Sequence, residues 1–321
     1  MVGRKSKLIK TEVLDDIVKM LEKKYGTLFK EGEVERVHFS TGSKILDSKI
    51  GGGVPSGCLV EFYGESLCGK TTMAMKTIAN AQKMGKLCIY VDAENRYNEK
   101  WVSKLGVDTD KLKVITDCNG ERVANKVSAL ISSGEVGLIV IDSIGALVPT
   151  VETENGMEKF QMGVQARLCN KMIRILLATN HPNKPATILF INHFYMKIGV
   201  IYGNPKETKG GKNLKNYTAV RIEFRKGAWI EEEKEKVGHE IRCYIIKNDF
   251  GIPQQLAEFN FNFKEGKIDN LDELRRLGLL KGVLTTAGPF IKYGDKNYKG
   301  KEAFYTWLKD NIKEFEGELN D

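Results

Sequence analysis

The central part of the chain alternates between short apolar runs and stretches in which apolar residues recur at helical spacing. Helical periodicity is clear in Thr72–Met84 and in Glu121–Ser132. The apolar runs around them are rich in Val, Ile and Leu and comprise Leu59–Phe62, Leu87–Val91, Val114–Thr116, Leu138–Ile141 and Ile188–Ile191. Near-continuous apolar strands separated by helices are typical of a mostly parallel sheet that is covered on both faces. The pattern therefore predicts an α/β core with a mostly parallel sheet flanked by helices.

The pattern changes on either side of this core. Before it, apolar residues recur at helical spacing over Thr11–Tyr25, which predicts a small helix with one apolar face. That face suits either packing on its own domain or docking on a neighbouring subunit. After Gly211, the longer apolar segments Thr218–Arg225 and Glu240–Lys247 predict an antiparallel extension of the sheet.

Charge marks off the last part of the chain. Basic residues outnumber acidic ones between Lys264 and Lys301, whereas Lys309–Asp321 is acidic. We therefore predict three domains: an N-terminal helical arm for oligomerisation over residues 1–36, the core over 37–263, and a small basic domain over 264–321 that ends in a short acidic tail.

Composition narrows the class of protein. The chain has 321 residues, of which 41% are hydrophobic and 29% charged, so it can bury a large core. No apolar run approaches the ~20 residues that a membrane helix needs, and the charged first ten residues are not followed by the apolar segment of a secretory signal. The six cysteines form no CxxC pair, which favours a reducing cytoplasm over a disulfide framework. A net charge of +8 suits a polyanionic partner.

A phosphate-binding motif follows the first of the apolar runs. Its residues, which match the pattern GxxxxGK[ST] and lead into a helical stretch at Thr72, are Gly64, Glu65, Ser66, Leu67, Cys68, Gly69, Lys70 and Thr71. In such a loop, backbone N–H groups wrap the phosphates, Lys70 reaches the β- and γ-phosphates, and the Thr71 hydroxyl binds Mg²⁺. An ordinary glycine-containing turn is the plainer alternative, but here a strand precedes the motif and a helix follows it. The motif therefore predicts nucleotide binding.

Two carboxylates lie at the ends of other predicted strands. Asp142 follows the run that ends at Ile141, and a P-loop protein holds Mg²⁺ from that position, usually through water. Glu94 follows the strand that ends at Val91, where it can orient and deprotonate a water for phosphate hydrolysis. Either side chain alone could be an ordinary carboxylate after a strand. Together with the phosphate-binding motif, they predict hydrolysis of a nucleoside triphosphate.

A longer collinear series of motifs resembles the RecA recombinase family. The series comprises STGS at Ser40–Ser43, the glycine-rich loop Gly51–Gly57, VDAEN from Val91, the run Ile139–Pro149, MGVQAR from Met162, FIN from Phe190, MKIGVIYGNPKET from Met196, Gly210 with Gly211, and WLKDN from Trp307. The match covers about Phe39–Leu308 and is similar to bacterial RecA, while His193 and the short N-terminus are similar to phage recombinases such as UvsX. The resemblance implies a RecA-like P-loop ATPase core with a small N-terminal helical arm and a small α+β C-terminal domain.

The resemblance also implies a function. Members of the family use ATP and Mg²⁺, assemble as a helical filament on single-stranded DNA and pair it with a homologous duplex. Single-strand-binding and loader proteins are expected as further partners, in the cytoplasm of a bacterium or as part of a phage system. A hexameric RecA-like helicase or motor ATPase would share Lys70, Glu94 and Asp142, and a non-catalytic regulatory module would not need all three intact.

The family register assigns roles to the residues of the nucleotide site. Glu94, Lys70 and His193 are expected to be catalytic: Glu94 activates water, and His193 senses the γ-phosphate and relays it to a DNA-binding loop. Trp101 is expected to stack on adenine, since a flat aromatic face suits a purine, and Asn98 lies nearby.

Three positions depart from the family pattern. His193 replaces a usual glutamine, and its charge depends on pH. Lys247 matches one of two lysines that reach the ATP of a neighbouring subunit, whereas Asp249 replaces the other. Cys68 replaces a small hydroxyl residue beside Lys70, and the surrounding amides and ammonium predict a lowered thiol pKa.

Two segments resemble the DNA-binding loops of the family, about Glu152–Gln161 and Phe194–Lys212. Lysines in glycine-rich loops suit a phosphate backbone, and apolar side chains could wedge between base steps. The residues expected to bind DNA are Met162, Arg167, Arg174, Lys197, Ile198, Tyr202, Lys206, Lys209 and Lys212. The basic C-terminal domain is expected to capture duplex DNA, in competition with the acidic tail.

Overall fold

A computed structural model describes residues 11–25, 36–154, 163–196 and 206–320. The chain forms two compact units, residues 1–36 and 37–321. Within the described part of the first unit, the predicted helix α1 (Thr11–Tyr25) forms with the expected bounds.

The second unit begins with alternating strands and helices, as predicted. In chain order these are β1 (His38–Phe39), α2 (Lys44–Ile50), β2 (Val54–Pro55), β3 (Leu59–Gly64), α3 (Lys70–Lys83), β4 (Leu87–Asp92), α4 (Glu99–Lys104), β5 (Lys113–Ile115), α5 (Gly120–Ser132), β6 (Val136–Asp142), a 3-10 turn (Ile144–Ala146), α6 (Thr150–Glu154), α7 (Val164–Thr179) and β7 (Thr187–Met196).

The rest of the unit is richer in antiparallel strands. Its elements are β8 (Lys206–Thr208), α8 (Gly211–Tyr217), β9 (Val220–Glu232), β10 (Glu235–Asn248), β11 (Gln255–Asn262), β12 (Lys267–Ile268), α9 (Asn270–Lys281), β13 (Leu284–Ala287), β14 (Phe290–Tyr293), β15 (Lys296–Lys299), α10 (Gly300–Asp310) and α11 (Ile312–Asn320).

One large sheet organises the second unit. Its strand order is β12-β11-β10-β9-β3-β7-β6-β4-β5, and β8 pairs with β7. The pairs from β9 through β5 are parallel, whereas β9, β10, β11 and β12 pair antiparallel. The prediction of a mostly parallel sheet with an antiparallel extension is therefore confirmed.

Both faces of the parallel part are buried, which explains why its strands are apolar along their whole length. Phe62 packs with Met73 of α3 in the cluster on one face. Ile139 packs with Ile173 of α7 in the cluster on the other face. Because parallel strands run in the same direction, their carboxyl ends meet at one edge of the sheet, and the polar residues that follow them are brought together there.

The C-terminal segment forms a small α+β module around a three-stranded antiparallel sheet, β13-β14-β15. Phe304 of α10 and Phe315 of α11 are buried and contact each other. The Phe304 ring also lies against Trp307, the Phe315 ring lies against Tyr293, and Tyr293 and Trp307 contact each other. The acidic stretch at the end of the chain forms α11, whose Leu319 is also buried. Its carboxylates have partners within the unit: Glu316 with Lys44, and Glu318 with Tyr293 Oη at 2.6 Å. Competition of these acids with duplex DNA stays a prediction.

A buried carboxyl joins this module to the core and makes folding stability depend on pH. Glu273 Oε1 accepts hydrogen bonds from Ser43 Oγ at 2.5 Å and from the Ile45 amide at 3.4 Å. Burial raises the pKa of Glu273 from 4.5 to about 7 and that of the nearby Asp47 from 3.8 to about 6. Because the folded state holds protons that the unfolded chain has lost, stability falls as pH rises through this interval.

We expect a Glu273→Gln variant to lose much of this pH dependence. Its free energy of unfolding should exceed that of the natural protein by at most about 3 kcal/mol at pH 8, and by less than about 1 kcal/mol at pH 5. Urea unfolding at both pH values measures the difference. The exposed Glu302 supplies the control, since Glu302→Gln should leave the pH dependence unchanged. An equal slope in the Glu273→Gln variant and the natural protein would contradict the assignment.

Candidate functional site: a nucleotide pocket at the sheet edge

The phosphate-binding loop connects the end of β3 to the start of α3, as the motif predicted. Gly64 ends the strand, and Gly69 caps the helix with φ 98°. A Cβ atom at Gly64 would lie 2.1 Å from Phe224 O, and one at Gly69 would lie 2.6 Å from Ile241 Cδ1. At Gly64 a larger residue would collide with the backbone of β9, and at Gly69 the left-handed φ favours glycine. The loop therefore lies close against the sheet.

Lys70 is buried at the first position of α3. Its Nζ donates to Glu65 O at 2.5 Å and to Gly64 O at 3.2 Å. A buried ammonium needs hydrogen-bond acceptors, and here the carbonyl groups of the loop supply them. The side chain thus points into the curve of the loop, where an anion would bind.

Thr71 and Asp142 form an oxygen pair next to the loop. Thr71 Oγ1 donates to Asp142 Oδ2 at 2.7 Å, and Tyr90 Oη donates to the same oxygen at 2.9 Å. Burial raises the pKa of Asp142 above its usual range. Mg²⁺ typically takes one or two protein oxygens together with water and substrate phosphates, and this pair fits such a site. Among the described residues, no group of three or more His, Cys, Asp or Glu side chains is arranged to hold a metal ion.

Glu94 lies at the same edge and is held by three donors. Its Oε1 accepts from Ser143 Oγ at 2.6 Å and lies 3.4 Å from His193 Nε2, while its Oε2 lies 3.1 Å from an Arg96 guanidinium nitrogen. The hydrogen bond from His193 is the main cause that lowers the pKa of Glu94 from 4.5 to about 2, with Ser143 and Arg96 adding to it against the effect of burial. Glu94 is therefore ionised at neutral pH.

Strand register explains why these groups meet. Gly64 pairs with His193 across β3 and β7, and Asp92 pairs with Asp142 across β4 and β6. The turn after β4 is fixed by the buried Asp92, whose carboxylate accepts the amides of Arg96 at 3.0 Å and Tyr97 at 2.7 Å. The position of Glu94 within that turn is therefore set by the backbone.

Another part of the pocket lining, here called the aromatic end, is formed by four rings. Trp101 and Phe263 are nearly parallel, at 22°, with ring centroids 6.1 Å apart. His239 lies 4.9 Å from Phe263 and 5.8 Å from Trp229, so the four rings form a continuous wall. Two lysines, Lys226 and Lys236, lie 3.6 and 5.0 Å from the centre of the Trp229 ring.

Sequence reasoning missed most of this wall. Apart from Trp101, its residues come from the β9–β10 hairpin and from the position just after β11, and no motif pointed to them. A local signal was present in the interleaving of Lys226, Trp229 and Lys236, because basic residues around an aromatic one are typical of nucleotide or nucleic-acid binding.

These groups surround one pocket of about 580 Å³. It brings together most of the residues predicted for the nucleotide site, namely Ser66, Leu67, Cys68, Gly69, Lys70, Thr71, Thr72, Glu94, Trp101, Asp142 and His193. Gly64, Glu65 and Asn98 are adjacent to it but are not part of its lining. The side chain of Asn98 caps α4 by accepting the Trp101 amide at 3.0 Å, so it positions the start of that helix.

Lys247 lies on β10 and does not line the pocket of its own chain. Its Nζ donates to Thr218 O at 2.7 Å and to Asn216 O at 3.0 Å, and lies 3.4 Å from the Asp249 carboxylate. Its contact with the ATP of a neighbouring subunit stays a prediction.

The thiol of Cys68 differs from expectation. The sequence predicted a lowered pKa because amides and Lys70 surround it. In the structure Cys68 is buried, with its Sγ 3.7 Å from Lys70 Nζ, and burial raises the pKa of the thiol above its usual value. The prediction of a lowered thiol pKa is therefore wrong, since the cost of removing the thiolate from water outweighs the attraction of the ammonium.

Five of the nine predicted DNA-binding residues lie in the described part of the chain. Arg167 and Arg174 are exposed on α7 at a spacing of two turns, which places them on one side of the helix. Lys206 pairs with Glu65 of the phosphate-binding loop at 2.6 Å, and Lys209 donates to Gly145 O at 3.2 Å. The exposed Lys212 lies on α8. Four other predicted residues, Met162, Lys197, Ile198 and Tyr202, lie outside the described residues.

A buried polar network connects the pocket edge to this region, and it was not foreseen from the sequence. Asn192, next to His193, donates to Lys209 O at 2.7 Å and to Glu61 Oε1 at 2.8 Å. Arg221 donates to the other oxygen of Glu61 at 2.6 Å. Each buried polar group in this network has a partner, which fixes the segment around Lys209 relative to β3 and β7.

Comparison with known proteins adds to this geometry. Residues 12–268 match the family model of the RecA N-terminal domain. The chain is 40% identical over 318 residues to Protein RecA of Wolbachia sp. subsp. Drosophila simulans (strain wRi), covering 97% of this chain and 88% of that protein. It is 39% identical to Protein RecA of Sulfurovum sp. (strain NBC37-1), covering 95% and 89%, and 37% identical to Protein RecA of Agrobacterium fabrum (strain C58 / ATCC 33970), covering 94% and 85%. No helix in the described ranges has the length and apolar character needed to span a membrane.

Proposed function

The chain belongs to the RecA family of recombinases, and on that premise we propose that it assembles on single-stranded DNA as a helical filament, hydrolyses ATP and pairs the bound strand with a homologous duplex. One observation carries the ATPase part of the proposal. The carboxylate of Glu94 faces the same pocket as Lys70 and the Thr71–Asp142 oxygen pair. A phosphate cradle, a metal site and a water-orienting carboxylate are what ATP hydrolysis requires.

Each of these groups has a place in the reaction. Lys70 exchanges the carbonyl oxygens of the loop for the β- and γ-phosphates of ATP. Thr71 and Asp142 hold Mg²⁺, which neutralises phosphate charge when bound. Glu94 orients a water toward the γ-phosphorus. The water oxygen bonds to that phosphorus, the bond to the β–γ bridging oxygen breaks with its electrons staying on ADP, and the water proton leaves through Glu94 to solvent.

The aromatic end of the pocket suits the base. Trp101 and Phe263 present nearly parallel rings to the pocket that Glu94 also lines, and a purine gains from stacking against such faces. We assign this end to adenine and the glycine-bounded loop to the phosphates.

Coupling to DNA runs through β7. His193 contacts Glu94, and the adjacent Asn192 bonds Lys209 O, so one strand end contacts both the catalytic carboxylate and the DNA-binding segment. We assign His193 as the γ-phosphate sensor and Arg167, Arg174, Lys206, Lys209 and Lys212 as phosphate contacts to DNA. Because such contacts displace counterions, DNA binding is expected to weaken steeply with salt.

Electron microscopy tests the assembly part of the proposal. With ATP, Mg²⁺ and single-stranded DNA, the protein is expected to form helical filaments and, after addition of a homologous duplex, joint molecules. The matched control is a heterologous duplex of equal length, which should give filaments without joint molecules. Closed rings instead of filaments would indicate a hexameric motor and contradict the proposal, as would DNA-independent assembly without joint molecules.

A further inference from the structure

Arg96 is a cation of the pocket to which the proposed mechanism has given no role. Its guanidinium lies 3.1 Å from Glu94 Oε2, and it lines the pocket together with Lys70 and His193. The side chain is 79% exposed, so little packing opposes its movement. Its backbone, by contrast, is fixed by the hydrogen bond from its amide to Asp92 at 3.0 Å. The backbone of Arg96 is thus fixed, while the charged end of its side chain is free to move.

Among the cations that line this pocket in the described part of the chain, Arg96 stands apart by position. Lys226 and Lys236 lie over the Trp229 ring, at the aromatic end. Lys70 is buried under the phosphate-binding loop. Arg96 alone of these four contacts Glu94, the group that faces the water and the γ-phosphorus in the proposed function.

We propose that Arg96 is a further catalytic residue, which moves from Glu94 to the γ-phosphate when ATP binds and stabilises the charge of the transferring phosphoryl group. This inference rests on the ATPase function proposed above. Arginine suits the role because its planar guanidinium forms two parallel hydrogen bonds to phosphate oxygens and stays protonated throughout.

The same movement readies Glu94. In the structure Glu94 Oε1 is engaged by Ser143 and His193, and Oε2 by Arg96. Departure of the guanidinium leaves Oε2 available to accept a hydrogen bond from the attacking water. No proton or bond is exchanged by Arg96 itself, so the balance of the hydrolysis step is unchanged. Arg96 would therefore contribute twice, by neutralising charge and by releasing the carboxylate.

Binding of a transition-state analogue tests the proposal separately from turnover. ADP with aluminium fluoride and Mg²⁺ resembles the transferring phosphoryl group, and ADP alone does not. On poly(dT), the affinity of Arg96→Ala for ADP with aluminium fluoride should be at least about 10-fold weaker than that of the natural protein, whereas its affinity for ADP alone should change by less than about 3-fold. Its kcat for ATP should fall by roughly 10²–10³-fold. Arg96→Lys keeps the charge without the forked geometry, so its affinity for the analogue should lie between those of Arg96→Ala and the natural protein.

The control is Arg122→Ala, which removes another exposed arginine that pairs with a carboxylate, Asp117, outside the pocket. It should trap the analogue as the natural protein does. If Arg96→Ala and Arg122→Ala trap it equally well, the role of Arg96 is wrong while the ATPase proposal stands. If the natural protein hydrolyses no ATP and traps no analogue on DNA, both proposals are overturned.

Discussion

A Glu94→Gln variant is expected to bind ATP and to form filaments on single-stranded DNA, while it hydrolyses ATP about 10²-fold more slowly or worse. Glutamine keeps the size of the side chain and an oxygen that can accept from Ser143 Oγ, now 2.6 Å from Glu94. It removes the negative charge that orients the water and accepts its proton. The measurement pairs steady-state phosphate release on DNA with ATP affinity for the same preparation.

Glu99→Gln is the matched control for this substitution. Glu99 is exposed in the first turn of α4, a few residues after Glu94, and does not line the pocket. It should hydrolyse ATP at the natural rate. Phosphate release by Glu94→Gln at the rate of Glu99→Gln would show that another group positions the water. Loss of ATP binding in Glu94→Gln would instead show that the carboxylate acts in ground-state binding.

The sheet could be predicted from the sequence because strands that are buried on both faces are continuous runs of apolar residues. The predicted Leu59–Phe62, Leu87–Val91 and Leu138–Ile141 all lie within observed strands. The observed strands run a residue or two further, to Gly64, Asp92 and Asp142, because hydrogen bonding to neighbouring strands continues after the apolar side chains stop. These added residues contribute to the site, because Gly64 begins the phosphate-binding loop and Asp92 and Asp142 line the pocket.

The phosphate end of the pocket was predictable for a related reason. Its residues are close in sequence to strand ends, so a motif and a strand pattern together fix where they lie. The aromatic end was not predictable, because Phe263, His239 and Trp229 reach Trp101 only through the long antiparallel pairing of β9, β10 and β11. These three strands follow one another in the chain but lie far along it from Trp101 on α4, and no local sequence pattern indicates that they meet it.

At single residues, burial and charge pairing limit what could be predicted from the sequence. The sequence shows that Cys68 is next to Lys70 in the motif, but it does not show that the thiol is removed from water, and that removal decides the direction of its pKa. Likewise, the sequence suggests that Glu94 is catalytic, while the contacts with His193, Ser143 and Arg96 that keep it ionised appear only in three dimensions.

A Lys70→Ala variant should lose ATP binding itself and, with it, ATP-dependent filament formation. The ammonium is buried, and the oxygens that it contacts are backbone carbonyl groups of the loop, so it can turn to the phosphates with little rearrangement. Truncating one partner of a desolvated charge pair typically costs ~2–5 kcal/mol, which corresponds to an ATP affinity roughly 30- to 5000-fold weaker. Titration with a fluorescent ATP analogue measures this change directly.

Lys76→Ala makes the comparison specific to the pocket. Lys76 lies on the same helix, half-buried, with its Nζ 5.9 Å from the centre of the Phe261 ring and outside the pocket lining. Its removal should leave ATP affinity within about 3-fold of the natural protein, since it makes no phosphate contact in the proposed complex. Thermal unfolding of both variants shows whether each is folded before its affinity is compared. Because Lys70 acts in binding and Glu94 in turnover, Lys70→Ala should abolish filaments that Glu94→Gln retains. If Lys70→Ala forms filaments at ATP concentrations that saturate the natural protein, the assignment of Lys70 to the phosphate site is wrong.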